Sequence, residues 1–173
     1  MIHENVEFDF YFIRHGESQS NVTPGIAAGV NFNAPMTERG HKQAEALGRR
    51  LADEGVQFER IYSSTLTRAV QTTESMLRGM GIPDAEFEKV GAIIERQVPA
   101  WRGKLAVDVM PPEVRMLQAE KGKWFKPADG ETDRWVERRA SNWLEDEITY
   151  NPNWLKIPGT HTIAIVSHGD TLR

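Results

Sequence analysis

Two histidines in this chain keep similar company, Arg14-His15-Gly16-Glu17-Ser18 near the start and Ser167-His168-Gly169 near the end. A third polar cluster, Ser63-Ser64, leads to Arg68 one turn into a predicted helix. Each cluster follows an apolar run of strand character, and open parallel sheets bind ligands at the carboxyl ends of their strands. Such a sheet gathers two histidines and two arginines, Arg14 and Arg68, in one crevice beside helix N-termini that favour anions. A metal ion is poorly served there, because adjacent guanidinium groups repel a cation. An oxyanion fits, since the planar guanidinium fork donates paired hydrogen bonds to phosphate. A histidine in that setting attacks phosphorus through a neutral ring nitrogen and forms a covalent intermediate. The surrounding positive charge disfavours its protonation and stabilises the equatorial oxygens of the transition state. The residue types and their placement predict a phosphate site.

The elements that must position these residues follow from apolar spacing. Residues 8–13 (FDFYFI), 58–62 and 162–166 (TIAIV) read as strands, and 85–90 as a half-buried edge strand. Helical spacing covers 37–54, with Thr37 as N-cap and Ala44, Leu47 and Leu51 on one face. A helix over 66–78 stops at Gly79 and Gly81-Ile82-Pro83, and 131–150 reads as one long amphipathic helix whose Trp135 and Trp143 pack in the core. Strands alternating with helices predict an α/β domain, three layers around a mainly parallel sheet, over residues 1–173. Pro99, Pro111, Pro112 and Pro127 interrupt the pattern between residues 98 and 130, which is the candidate lid or substrate-facing segment. His41 is expected on a solvated helix face, and His3 and His161 at the surface.

Composition bounds the function. The chain has 173 residues, a formal net charge of −4 and no cysteine, so a disulfide scaffold, a thiolate nucleophile and a Cys-ligated zinc are all excluded. The acidic balance argues against a nucleic-acid partner. No apolar run reaches the roughly 18–20 residues needed to span a bilayer, and Met1-Ile2-His3-Glu4-Asn5 lacks the features of a signal peptide. The expectation is a cytoplasmic protein, monomeric or homodimeric, with neither a membrane nor a nucleic-acid partner.

The segment Phe12-Ile13-Arg14-His15-Gly16-Glu17-Ser18-Gln19-Ser20-Asn21 resembles the signature of the histidine phosphatase superfamily, in its phosphoglycerate mutase-like branch. Further segments match in family order. Met36 to Ala44 is similar to LTxxGxxQA, Ser63 to Thr72 to SxxxRAxQT, and Ile94-Glu95 with Trp101-Arg102-Gly103 to LxE…WEG. Gly130-Glu131-Thr132 stands where the family has GES, and Ser167-His168-Gly169 closes the set. The resemblance implies the family's fold and chemistry. His15 would become phosphohistidine. Arg14, Arg68 and His168 would hold the phosphoryl group, with Asn21 and Thr37 lining the pocket. Glu95 would protonate the leaving oxygen and later activate water, with no cofactor or metal. A glutamate in that role needs its pKa raised by burial or nearby charge. Glu17 is expected to brace the pocket by ion pairing, and Ser18, Ser63 and Ser64 either cap helices or bind phosphate.

The resemblance leaves three reaction readings. The interval from Glu95 to His168 lacks the long insertion of the family's mutases, which favours hydrolysis of a small-molecule phosphomonoester. Phosphoglycerate mutase-type transfer is the alternative, and a non-catalytic phosphate- or phosphopeptide-binding domain is another. Val98-Pro99 replaces the usual Phe-Gly, and Arg102 replaces the acid of WEG, where it is either a cation at the pocket rim or a surface residue without a role. Residues 22–34 also depart from the family's approach to the Thr37 helix and are expected to reshape one wall of the site. The family pattern continues beyond the last motif with a helix, whereas this sequence stops at Arg173. It is expected to be either a short form or a piece of a longer chain, with apolar surface exposed beside the last strand.

Overall fold

The computed structural model describes residues 5–27 and 33–173. His3 and residues 28–32 of the divergent 22–34 stretch lie outside them. Four strands, β1 (Val6–Arg14), β2 (Arg60–Ser64), β3 (Glu88–Val90) and β4 (Gly159–Ser167), form one sheet in the order β1-β4-β2-β3, all pairs parallel. The register of β1 on β4 runs from Val6 opposite Gly159 to Arg14 opposite Ser167, so the two histidine motifs leave the sheet side by side.

The pleat sends alternate residues to opposite faces. Ile13, Ile61, Ala164 and Val166 meet Leu51, Ala69, Met76 and Leu77 of α2 (Glu38–Asp53) and α3 (Thr67–Gly79). Phe8, Phe10, Tyr62, Ile163 and Ile165 meet Trp143, Leu144 and Ile148 on the other face. That face is covered by α6 (Asp133–Leu144), a π-helical turn at Glu145–Thr149 and α7 (Pro152–Leu155). The result is the expected three-layer arrangement, with helices on both faces of the parallel sheet. Thr37 caps α2 by accepting from the Gly40 amide at 3.0 Å. Small residues then let α2 and α3 touch backbone to backbone. A Cβ on Gly48 would strike the Met76 carbonyl oxygen, and one on Gly79 would strike that of Glu45.

Short elements fill the remainder, among them α1 (Gln19–Val22), α4 (Ala106–Val109) and α5 (Pro112–Lys121). The proline-interrupted 98–130 segment is a run of such pieces. It returns against residues 25–27 through an isolated bridge, Ile26 to Leu105, and the Ala27 amide donates to the Lys104 carbonyl at 3.0 Å. Leu105, Val107, Met116 and Trp124 are exposed along it, while Phe125 is buried. The last strand does not lose its cover, with Ile163, Ile165 and Val166 at 2% exposure or less, and apolar exposure falls instead on its neighbour β1. Phe12 is 54% exposed, and Phe12, Ile93, Trp143, Leu144, Ile165 and Leu172 line an open cavity of about 440 Å³. Among the described residues no helix is long and apolar enough to cross a membrane.

Several expectations are corrected. The 85–90 strand pairs only over Glu88–Val90, and the 58–62 strand is displaced to Arg60–Ser64, so Ser63 and Ser64 belong to the sheet. The 131–150 helix begins at Asp133 and widens into the π turn after Leu144. Trp135 is 49% exposed with the Lys126 ammonium 4.6 Å from its ring, whereas Trp143 stacks edge-on against Tyr62 as a core residue should. His41 bonds Ser75 Oγ at 2.9 Å in the α2–α3 contact. His161 is buried between Phe8 and Trp154.

Candidate active site

The end of β1 sets the nucleophile candidate. The His15 amide donates to the Ser167 carbonyl at 3.0 Å, extending the β1–β4 pairing by one step. Gly16 must be small, since a Cβ there would approach the Gly40 carbonyl oxygen at 2.7 Å, and one on Gly40 would strike the Glu17 carbonyl. The Gly16 amide in turn donates to Thr72 Oγ1 at 3.0 Å, one turn beyond Arg68 on α3. The loop of His15 is thus seated on the starts of two helices.

The tautomer of His15 follows from its partners. Nδ1 lies 2.7 Å from the Gly16 carbonyl, which only accepts, so Nδ1 carries the hydrogen. Nε2 is left with its lone pair and accepts from Arg68 Nε at 3.1 Å. Burial, reinforced by Arg68 and Arg14, lowers the imidazole pKa from 6.5 to about 4, against the opposing pull of the Gly16 carbonyl. His15 is 8% exposed and neutral near pH 7. Burial lowers the Arg68 pKa too, with Glu95 opposing and Arg14 adding to the effect.

His168 sits 5.1 Å from His15, ring centroid to centroid, and is fully buried. Its Nε2 lies 2.7 Å from Ser64 Oγ, which itself accepts from the Leu66 amide at 3.3 Å. The Ser64 hydroxyl has no other acceptor among the described residues, so its hydrogen is assigned to Nε2, which puts the ring hydrogen of neutral His168 on Nδ1. Nδ1 is buried without a hydrogen-bond partner among the described residues. An orphaned buried donor costs about 1–3 kcal/mol, and an incoming oxyanion would satisfy it. Burial, with Arg68 and His15, holds the His168 pKa down at about 2. Arg14 is exposed, but its guanidinium flanks the last motif, since a Cβ on Gly169 would lie 3.6 Å from Arg14 Nε.

Glu95 occupies an irregular segment after β3, and burial followed by the nearby Asp170 raises its pKa, against the Arg96 amide and Arg68. The amide of Arg96 donates to Glu95 Oε1 at 3.1 Å. The Arg96 side chain is matched by Asp133 at 2.6 Å and Asp170 at 3.7 Å and lies over the Trp101 ring.

The structure thus brings together His15, Arg68 and His168, with Arg14 and Glu95 within electrostatic reach. The other three candidates do other work in the described contacts. Asn21 Oδ1 accepts from both the amide and the hydroxyl of Ser18, closing the turn into α1. Thr37 caps α2 and donates to Glu17 Oε1 at 2.7 Å, while Glu17 pairs with Arg39 at 3.4 Å. Arg102 is exposed, just beyond the turn Pro99–Trp101. Sequence reasoning missed Thr72, Arg96 and the pairing of Ser64 with His168. Thr72 and Ser64 lie inside the SxxxRAxQT-like segment, whose hydroxyls were the available signal.

The sequence profile of the histidine phosphatase superfamily (branch 1) matches residues 10–173. The chain belongs to this superfamily. Among histidine phosphatases of known sequence, it is 31% identical over 163 residues to a 2,3-bisphosphoglycerate-dependent phosphoglycerate mutase of Bartonella tribocorum, covering 93% of this chain and 76% of that one. Among solved structures it resembles Bacillus stearothermophilus YhfR at 28% identity and a TM-score of 0.75, over 95% of this chain and 76% of that chain. It also resembles the alpha-ribazole phosphatase from Shigella flexneri at 25% identity and a TM-score of 0.75, over 94% and 75% of the two chains. The superfamily members it resembles thus include both mutases and phosphatases.

Proposed function

We propose that the protein hydrolyses small-molecule phosphomonoesters through a phosphohistidine on His15, without a metal. The observation that carries this reading is the fixed tautomer of His15, with Nδ1 bound to the Gly16 carbonyl and the Nε2 lone pair beside Arg68. Nε2 attacks phosphorus and the bond from phosphorus to the leaving oxygen breaks. That oxygen takes the proton of Glu95, whose raised pKa suits a donor. Arg14, Arg68 and the Nδ1–H of His168 receive the charge on the non-bridging oxygens. In the second half, Glu95 takes a proton from water, the oxygen attacks phosphorus, and the P–N electron pair returns to Nε2 as phosphate leaves. Asn21 and Thr37 shape the pocket from their caps, and Arg102 with the 98–130 segment meets the remainder of the substrate.

The likeness to a bisphosphoglycerate-dependent mutase supports a second reading, in which the phosphoryl group returns to a retained intermediate. Phosphate release from a panel of phosphomonoesters with chelator present, compared with His15→Ala, tests the first reading. Turnover that survives chelator and disappears in His15→Ala supports it. Isomerisation of a phosphoglycerate that requires a bisphosphorylated primer overturns it in favour of transfer. Phosphate binding without turnover in the wild type overturns it in favour of a binding domain.

A further inference from the structure

Four successive backbone carbonyls, those of residues 92–95, lie in a segment that belongs to no strand and only begins in a 3₁₀ turn. Irregular backbone in a half-buried place needs donors from elsewhere, and here side chains supply all four. Arg139 on α6 donates Nη1 to Ala92 O at 2.6 Å and Nη2 to Ile94 O at 2.8 Å and to Glu95 O at 3.2 Å. Ser167 Oγ donates to Ile93 O, and Thr171 Oγ1 to Ile94 O, both at 2.7 Å. The same Arg139 grips Glu131 with Nε at 2.9 Å and Nη2 at 3.1 Å. Glu131 completes the ring, because its Oε2 accepts from the Gln97 amide at 2.8 Å and its own amide donates to the Gln97 carbonyl at 2.8 Å. One guanidinium and one carboxylate therefore fix the backbone on both sides of Glu95.

From this geometry we propose that Arg139 and Glu131 are positioning residues that hold Glu95 at the place where the leaving oxygen departs. The inference rests on Glu95 being the proton donor. Neither residue need touch substrate. Only a guanidinium serves, since an ammonium has neither the planar fork nor enough directed donors for three carbonyls and a carboxylate. A displacement of the donor by about 1 Å costs on the order of a hundredfold in rate.

The signature of a displaced proton donor is dependence on the leaving group. p-Nitrophenyl phosphate expels a stable phenolate and needs little proton transfer, whereas glycerol 2-phosphate must expel an alkoxide. We would measure kcat and KM on both substrates for Glu95→Gln, Arg139→Lys and Glu131→Gln, with thermal unfolding as a check on folding. For Arg139→Lys the expected result is a fall in kcat/KM of about 10–100-fold on the alkyl ester. The expected loss in kcat/KM is below about threefold on the aryl ester; kcat/KM is the quantity compared because it reports transfer to His15, whereas Glu95 acts alike on both substrates when water attacks the phosphohistidine. Glu131→Gln, which leaves Arg139 on its carbonyls, should show the same bias to a smaller degree. It decides the matter if Arg139→Lys does not fold. Equal losses on both substrates, or none, in the variants that fold would overturn the clamp while Glu95→Gln keeps its bias. Glu95→Gln without a leaving-group bias would instead overturn the donor assignment itself, and the clamp with it.

Discussion

The hydroxyl of Ser64 lies 2.7 Å from Nε2 of His168 and decides which ring nitrogen is left to face an oxyanion. Without that hydroxyl the hydrogen is free to move to Nε2, and Nδ1 then presents a lone pair to an anion. Ser64→Ala is expected to lower kcat/KM by about tenfold, the value of one lost charge-assisted hydrogen bond. It should also raise the inhibition constant for inorganic phosphate by a similar factor. Unchanged phosphate inhibition would show that His168 does not depend on Ser64 for its orientation.

The rate should follow a bell in pH. In the proposed reaction attack needs neutral His15, so kcat/KM falls on the acid side as pH drops through about 4. The same reaction needs Glu95 in its acid form to protonate the leaving oxygen. Its raised pKa therefore sets a descending limb above the ordinary carboxylate range. Glu95→Gln should abolish the descending limb and keep the acid one. A profile whose alkaline limb persists in that variant would assign the limb to another group.

Stability should respond to pH with opposite signs at different buried histidines. His15 and His168 have folded pKa values below the unfolded 6.5, so the unfolded chain binds protons first, and stability is lost as pH falls below about 6.5. For His15 the displacement to about 4 corresponds to roughly 3 kcal/mol. His161 behaves the other way. Burial pushes its pKa down, but the Glu59 carboxylate and the Ile157 carbonyl outweigh burial and raise it. Both its nitrogens face acceptors, Glu59 at 3.0 Å and Ile157 O at 2.9 Å, an arrangement only the imidazolium satisfies fully. Its contribution is full below pH 6.5 and is lost as pH rises through the raised value. Urea unfolding across pH 5–9 should show that loss in the wild type and its absence in His161→Phe.

The α2–α3 contact gives a prediction about packing. Gly48→Ala drives a methyl group into the Met76 carbonyl, where only backbone movement makes room, and should cost about 1–3 kcal/mol or more. Gly91→Ala meets open space and should change stability by less than about 0.5 kcal/mol. Thermal unfolding of the two variants side by side checks this, and an equal effect would mean the helices separate freely.

Much of this arrangement was legible in the sequence, for particular reasons. Alternation of Phe8, Phe10 and Phe12 against Tyr11 and Ile13 marks a strand, and its end delivers Arg14 and His15 to the crevice. Thr37 ahead of helically spaced apolar residues marks a helix start, and the structure caps it so. What sequence could not supply was the identity of distant neighbours. His161 looks like a turn residue until Phe8, Trp154 and Glu59 close around it. Trp135 carries the same helical spacing as Trp143, yet only Trp143 reaches Tyr62 on the sheet. Arg139 reads as one more charge on an amphipathic helix, and its meaning depends on carbonyls more than 40 positions away.

The pairing of β1 with β4 also dictates an order of assembly. Glu7 and Thr160, 153 positions apart, face each other across it, and the His15 amide finds its acceptor only in Ser167. During synthesis the phenylalanine-rich first strand must therefore wait, unpaired, for nearly the whole of this sequence to emerge. Contacts of such separation make folding slow and leave a strand edge open to aggregation in the interval. The pocket that joins His15 to His168 therefore forms only after residue 168 has emerged, and a chaperone that shields β1 would act before that.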